Sequence, residues 1–460
     1  MASLRFRLAL VGAKLAYRAL RAAGRNGSHT PGRVALAICP DYLAQIRKPA
    51  LVVCVTGTNG KTTVTNLIAD VLVGAGQRVS TNRLGSNIAP GIAAVLTEAV
   101  SWRGRPRVDA GVLEVDERAS RRVLPQVKPD YLVVTNLFRD SLKRNAYPDF
   151  ILDLIKAHVP AGTRLILNAD DLCSSQIGQA EPAQAVYFGI DRLPDDATEP
   201  VNIVTDQADC PHCGTELTYH FRRYHHIGQA VCGHCGFASP QADYAVSAID
   251  YANRTLTVAR SGVSQVYPLI SDTMFNIYNE VTAIAALAQI GLASERIAAV
   301  LATWTVVDSR LKRTKLGRID LVRAMSKGQS SVSCSQTLDF VRHQPGRKAV
   351  VLLMDDWYDR QHSVEFIGWI YDADFEFLND PEIVQVVAAG PRRYDYEVRL
   401  LLAGVAASRI VTCEDESQAG GAIATEAVDS VYLLYDTSTL HLADKLAQAM
   451  AGHTEAAVVA

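Results

Sequence analysis

No segment of the 460 residues is apolar enough for long enough to cross a bilayer, no repeat or low-complexity tract stands out, and neither sign of charge dominates. The first absence argues against a transmembrane helix, and the second leaves ordinary globular packing. The third, a net charge of −2, argues against a general nucleic-acid binder, which is normally basic. Cysteine is sparse, and its count of nine is odd. Four of the nine fall in two close pairs, which suits a reducing cytoplasm and one metal site better than a disulfide framework. What is present, 48% hydrophobic and 20% charged residues, describes a soluble globular protein too long for a single core. Two or three domains are expected.

The most specific stretch is Val53-Cys-Val-Thr-Gly-Thr-Asn-Gly-Lys-Thr-Thr63. An apolar strand, Leu51 to Val55, breaks into a glycine-bearing turn, and a helix is predicted from about Thr62. Such a turn points successive backbone N–H groups at one spot, where the helix dipole adds positive potential. In this reading Thr58, Asn59, Gly60, Lys61, Thr62 and Thr63 cradle ATP. Lys61 reaches the outer phosphates, and the Thr62 hydroxyl ligates the magnesium ion that bridges them. The usual P-loop would place its first glycine at Val55, so the loop is a variant form.

From Leu51 to about Gln207 apolar strands alternate with amphipathic helices: Leu51–Val55, Thr62–Gly74, Val79–Thr81, Ala89–Ala99, Ala110–Leu113, Tyr131–Thr135, Phe150–Ala157 and Leu165–Asn168. This predicts a parallel sheet covered on both faces, with ligands at the carboxyl ends of its strands. Polar residues fall there: Lys61, then Glu114, then Asn136 and Asp140. Glu114 is expected to hold magnesium directly or through water. The pattern resumes near Ala245, with helices over Asn276–Gly291 and Ser294–Trp304. A change of domain is placed at Thr314–Gly317. Short strands at Lys348–Met354, Ile383–Ala389, Ile410–Thr412 and Ser430–Tyr435 then make a second α/β domain.

Residues 208–240 interrupt this order. Cys210-Pro-His-Cys213-Gly and Cys232-Gly-His-Cys235-Gly form two knuckles separated by enough chain for a β-hairpin. Four thiolates complete a tetrahedral zinc site with no position left for water, so the metal is structural. His212, His225, His226 and His234 are read as surface or outer residues, not ligands. The intervening Arg222-Arg-Tyr-His-His226 reads as a basic, aromatic hairpin tip. That tip admits a nucleic-acid reading, but insertion in an ATP-binding domain favours a folding or docking role.

Residues 1–45 form an N-terminal segment. Met1 to Gly24 reads as a basic amphipathic helix with Leu4, Leu8, Val11, Leu15 and Leu20 near one face and no cleavage-site pattern. Packing on its own domain is the favoured reading, with a role at the inner face of the membrane as the alternative.

Taken together, the chain resembles the MurT family, the Mur-ligase-like subunits of lipid II isoglutaminyl synthase. The resemblance is carried by Gly57–Thr63, by Leu113-Glu-Val-Asp-Glu117, by Thr135-Asn-Leu-Phe-Arg-Asp140, by the position of the four-cysteine ribbon, by Phe275-Asn-Ile-Tyr-Asn279 and by Gly368-Trp-Ile-Tyr-Asp372. It implies a Mur-ligase-type P-loop central domain over 46–313 with the zinc ribbon inserted at 208–240, and a MurT-type C-terminal α/β domain over 314–460. It further implies ATP-dependent amidation of the D-glutamate α-carboxylate of the lipid II stem peptide through an acyl phosphate. Ammonia would come from a separate GatD-like glutaminase, whose Cys–His pair an Asp of this chain would complete. Asp359 is the first choice, with Asp356 and Asp372 as alternatives. Asn276 as a nucleotide contact is likewise implied by the family, since alone it reads as a helix N-cap. Asn136, Arg139 and Asp140 are candidate substrate residues. The chain departs from the family at Ser141, at Lys143 and over Arg323–Gly328. Two competitors remain: a Mur- or folylpolyglutamate-type amino-acid ligase, and an ATP-gated nucleic-acid binder using the ribbon.

Overall fold

The computed structural model describes residues 3–83, 85–139, 147–304, 311–326, 330–354, 367–436 and 438–459. It divides into two compact units.

The first unit opens with helices α1 (Leu4–Ala22), α2 (Thr30–Ile38) and α3 (Tyr42–Gln45). Its sheet draws on β1 (Leu51–Thr56), β2 (Val79–Thr81), β3 (Ala110–Glu114), β4 (Tyr131–Val134), β5 (Arg164–Asn168) and β6 (Ala185–Ile190). Interleaved are α4 (Lys61–Gly74), α5 (Ala89–Ala99), α6 (Ser120–Val127), α7 (Pro148–Lys156) and α8 (Leu172–Ser175). The hairpin β7 (Thr218–Tyr224) and β8 (Ile227–Val231) follows, then β9 (Tyr244–Asp250), β10 (Thr255–Arg260) and β11 (Val263–Pro268). Helices α9 (Met274–Ile290) and α10 (Ser294–Leu301) close the unit.

Among the described residues the strands run in the order β11-β10-β9-β6-β5-β4-β1-β3-β2. From β6 to β2 all pairs are parallel, as are β6 and β9. Strand β1, Leu-Val-Val-Cys-Val-Thr, is apolar on both faces because helices cover both. It sits between β4 and β3, with Val53 opposite Val112 and Tyr131. The strand order reverses around β1, so a crevice opens at its carboxyl end, where such sheets take their ligands.

The segment 1–45 is part of this unit and not a separate appendage. Phe6, Ala9, Leu10, Ala13, Tyr42 and Leu43 are buried in the same core as Val52, Leu113 and Leu132, and Phe6 stacks on Tyr42 at 5.2 Å. The buried side of α1 is not the side the leucines mark. Leu4, Leu8, Val11 and Leu15 are exposed, and Leu20 is half-buried away from them.

The second unit comprises β12 (Leu311–Leu316), β13 (Ile319–Met325), α11 (Ser331–Arg342), β14 (Lys348–Leu353), β15 (Ile383–Ala389), α12 (Arg393–Leu402), β16 (Ile410–Cys413), β17 (Ser430–Tyr435) and α13 (Leu440–Val459). Its sheet order is β12-β13-β17-β14-β15-β16, parallel except for the β12–β13 hairpin. Side chains alternate along each strand: Val350, Leu352 and Tyr432 enter one core, while Val351, Leu353 and Leu433 enter another on the opposite face. The boundary expected at 313/314 therefore falls inside β12, and the hairpin belongs wholly to this unit. Arg139 and Asn202–Val204 also cluster with it. The Asp374 carboxylate accepts from Asn202 Nδ2 at 2.7 Å and from the Ile203 N–H at 2.6 Å.

Candidate active site

At the carboxyl end of β1 the chain turns through Gly57-Thr-Asn-Gly60, and α4 starts at Lys61. Gly60 has φ +83°, and a Cβ there would lie 2.0 Å from Asn279 Oδ1, so only glycine fits. The first N–H groups of α4 have no acceptor within the helix and face the crevice, as an anion site requires.

The loop is strapped from behind by the residues that follow β4. Asn136 accepts from the Asn59 N–H through Oδ1 at 3.0 Å and returns a bond from Nδ2 to Asn59 O at 3.2 Å. Thr135 Oγ1 donates to Asn59 O at 2.6 Å, and Thr58 Oγ1 accepts from the Phe138 N–H at 2.9 Å. Asn136, expected near the substrate, thus spends both amide atoms on the loop. Thr58 and Asn59 likewise point polar groups at the strap.

The candidate phosphate and magnesium residues lie on the other side of the loop. Thr62 is exposed, and its Oγ1 donates to Glu114 Oε2 at 2.8 Å, at the end of β3. Octahedral magnesium with ligands at about 2.1 Å places neighbouring oxygens about 3.0 Å apart, so this pair fits adjacent positions on such an ion or its waters. Asn87 Nδ2 donates to Glu114 Oε1 at 3.0 Å, and Asn82 brackets the Glu114 backbone at 2.8 and 2.9 Å. Lys61 Nζ pairs with Glu117 at 2.9 Å and donates to the Gly57 and Thr58 carbonyls. Asn82 and Asn87 were not singled out from the sequence, and Glu117 and Asn279 stood in quoted motifs without a role. Asn82 occupies a strand end, the same position that marked Glu114.

Helix α9 packs its first turns against the loop. Asn276 lies inside it and is not its N-cap, a place taken by Thr273. Its Oδ1 accepts from Asn279 Nδ2 at 3.2 Å, and its own Nδ2 is held by Thr273 and Ser271. One turn on, Glu280 is buried, the Ile270 N–H being the one donor to its carboxylate among the described residues, and burial raises its pKa to about 8. Beside β2 a cavity of about 620 Å³ opens, with Arg21, Arg25, Asn82, Arg83 and Glu98 on its wall.

In the ribbon, Cys210 Sγ lies 3.6 Å from Cys235 Sγ and Cys213 Sγ lies 3.5 Å from Cys232 Sγ. All four sulfurs are within 4.8 Å of one another. Disulfides require about 2.05 Å, whereas four thiolates around a zinc-sized ion at about 2.3 Å sit about 3.8 Å apart. Gly214 and Gly236, after the knuckles, both take positive φ, as the spacing predicts. His212 and His234 are exposed, as expected.

The hairpin tip is not a surface. His225, His226 and Arg222 are buried, and the Arg223 side chain is 3% exposed, bonded to Asp170, Asp196, Tyr278 and the Ile190 and Asp191 carbonyls. His226 Nε2 meets Asp171 Oδ1 at 3.0 Å. Burial pushes the Asp170 carboxyl up against the pull of Arg223. A tip so committed presents no basic face to nucleic acid.

In the second unit Asp372 is partly exposed and pairs with Arg139 Nη1 at 3.2 Å. Asp140, Asp356 and Asp359 lie outside the described residues.

Residues 55–220 match the family described as Mur ligase middle domain, and residues 329–440 match MurT ligase C-terminal. A curated relative, the lipid II isoglutaminyl synthase (glutamine-hydrolyzing) subunit MurT of Staphylococcus aureus (strain COL), is 31% identical over 87% of this chain and 88% of its own. The protein of the same description from Streptococcus pneumoniae (strain ATCC BAA-255 / R6) is 29% identical over 94% of each. Among solved structures, a pseudomurein peptide ligase type C from Methanothermus fervidus superposes with TM-score 0.67 at 18% identity, covering 89% of this chain and 81% of that one. MurF from Acinetobacter baumannii gives 0.63 at 16%, covering 91% and 80%. These two likenesses concern the fold alone.

Proposed function

The chain belongs to the MurT family, and on that premise we propose that it is the ATP-dependent synthetase subunit of a lipid II isoglutaminyl synthase. The reaction is amidation of the D-glutamate α-carboxylate in the lipid II stem peptide. A carboxylate oxygen takes the γ-phosphoryl group of ATP and ADP leaves. The lone pair of ammonia then attacks the acyl carbon, phosphate departs, and the nitrogen loses a proton.

The observation that carries this reading is the Thr62–Glu114 pair beside Lys61, joined in one chain to a MurT-type C-terminal match. Phosphoryl transfer asks little covalent chemistry of a protein and much positioning and charge. Gly60, Lys61, Thr62 and Thr63 bind the phosphates through backbone N–H groups, with Thr58 and Asn59 completing the loop. Lys61 leaves Glu117 for the outer phosphates. Thr62 and Glu114 would hold magnesium, which would supply positive charge against the phosphates. Asn276 contacts the nucleotide. The cavity beyond Asn82, with Arg21, Arg25 and Arg83 on its wall, suits an anionic acceptor; Arg139 and Asp140 are proposed separately as substrate residues. The ribbon metal is zinc and structural. Ammonia is delivered by a GatD-type glutaminase whose Cys–His pair is completed by Asp359, or by Asp356 or Asp372, a carboxylate serving to orient the imidazole. The work is done at the cytoplasmic face of the membrane, where the acceptor resides.

The purified chain is given lipid II, ATP and ammonium, and the product is read by mass spectrometry. Isoglutamine-containing lipid II with stoichiometric ADP is expected, lost on Lys61→Ala. Glutamine replaces ammonium only when the glutaminase is added. ADP release that answers to an amino acid and never to ammonium would reject the amidation in favour of peptide ligation.

A further inference from the structure

Helix α1 has two apolar sides, and the fold uses one. Phe6, Ala9, Leu10 and Ala13 are buried against the unit. At about 100° per residue they centre about 180° from Leu4, Leu8, Val11 and Leu15, which are 75%, 58%, 42% and 56% exposed. Ala19 and Ala22 extend the same exposed line. Four aliphatic side chains along one solvent-facing line are more than isolated surface hydrophobics.

The charges around the stripe say what covers it. Between Leu4 and Arg25 the chain carries six Arg or Lys and no Asp or Glu, although its net charge is −2. Arg7, Lys14, Arg18 and Arg21 line one flank of the stripe by helical position. On that flank lies the turn after α5: Lys14 Nζ donates to Val100 O, and Arg18 stacks over the Trp102 ring at 4.7 Å. The same turn exposes Arg103, Arg105 and Arg107. An apolar line bordered by arginines from two elements, with a tryptophan between them, matches the surface of an anionic bilayer, not another protein's core.

We propose that α1 docks this protein on an anionic membrane. Leu4, Leu8, Val11 and Leu15 enter the headgroup boundary, while Arg7, Arg18, Arg103, Arg105 and Arg107 meet lipid phosphates. Arg21, in the last turn of α1, and Arg25, just beyond it, stand on the wall of the cavity beside β2. The inference stands on α1 and its neighbours and does not depend on the amidation.

The test is flotation of the full chain with vesicles of phosphatidylcholine alone or with 30–40% phosphatidylglycerol (about; chosen to give a strongly negative surface). Binding to the anionic vesicles is expected, weakened at least about tenfold by raising salt from 0.05 to 0.5 M or so. Leu8→Glu with Leu15→Glu is expected to abolish it while leaving ATP binding and the unfolding midpoint unchanged, because both side chains are exposed. Leu8→Trp is expected to shift its emission to the blue with anionic vesicles only. Equal binding to neutral vesicles, undiminished flotation of the double variant, or a homodimer or glutaminase complex that the double variant dissolves would each overturn the proposal. Loss of flotation with amidation of detergent-dispersed lipid II intact separates this inference from the reaction.

Discussion

Adding one methyl group at Gly60 tests the nucleotide site at its tightest point. A Cβ there would lie 2.0 Å from Asn279 Oδ1, 3.0 Å from its Cγ and 3.3 Å from its Nδ2, so the whole amide faces it. Asn279 is buried and its Nδ2 is bonded to Asn276, so it yields only by breaking that bond. Two contributions follow for Gly60→Ala. Holding alanine at φ +83° costs about 1–2 kcal/mol, and the overlap about 1–3 kcal/mol. The alternative is a loop shifted off its phosphate-binding geometry. Either way the ATP dissociation constant should rise by roughly 30-fold to a few thousandfold, at about 1.4 kcal/mol per tenfold. Asn279→Ala removes the obstructing amide but leaves the backbone strain. In that background Gly60→Ala should therefore cost only the strain, recovering roughly 5- to 150-fold of affinity. Calorimetric titration of ATP at fixed magnesium into the four proteins of the cycle measures this directly. A Gly60→Ala penalty that is equal in both backgrounds would refute the argument, because the overlap would then play no part.

Three further outcomes follow from the buried charges and the ribbon. Arg223→Met leaves Asp170 and Asp196 without their cation and should destabilise the first unit by about 3–5 kcal/mol, read as a lower urea midpoint; unchanged stability would refute the buried role. Glu280 keeps its proton in the folded chain to about pH 8 against 4.5 for the ordinary group, so its contribution is full below pH 4.5 and is lost as pH rises to about 8. Glu280→Gln should flatten that slope and stabilise the unit at pH 8 by up to a few kcal/mol, at about 1.4 kcal/mol per pH unit. Elemental analysis should find one zinc per chain, lost on Cys213→Ser, and the same change should weaken ATP binding by about 0.5–2 kcal/mol, although no ribbon cysteine is among the loop's partners in the described residues.

The strands were legible because a parallel sheet buried on both faces writes itself as uninterrupted apolar runs. Val79–Thr81, Ile383–Ala389 and Ser430–Tyr435 all stand where the runs put them. Lys61, Thr62 and Glu114 were legible for a different reason, since charge at the carboxyl end of such a strand has few structural uses. Partners were harder to read. Glu117 stands three residues beyond Glu114, and nothing in its spacing says that it holds Lys61. Asn279 shows its role only when α9 is laid on Gly60. At the ribbon tip, Arg, Tyr and His each combine an apolar body with a polar end, so composition alone leaves them free to be buried or exposed; the Asp170-Asp171 pair decides it. On α1 the larger leucines advertised the wrong face. The buried side is made by Phe6 and Leu10 together with the small Ala9 and Ala13, while Gly12 lies against Ile38 and Val34.

The ribbon's place in the fold follows from the same contacts. Its tip reaches the two acids just after β5, Asp170 and Asp171, and each acid leads to a different side of the proposed nucleotide loop. Asp171, bonded to His226, also accepts from the Leu137 N–H at 2.7 Å, next to Asn136, which holds Asn59. Asp170, bonded to Arg223, accepts from Tyr278 Oη at 2.7 Å on α9, next to Asn279, which holds the approach to Gly60. An isolated two-stranded hairpin is marginal in water, so without a closed metal site the tip could not present Arg223 and His226 at fixed positions. Four cysteines far along the chain from Lys61 thereby help to fix the backbone proposed to receive phosphate. A metal held by the four cysteines would therefore act on the proposed nucleotide loop by geometry alone, through bonds between buried groups.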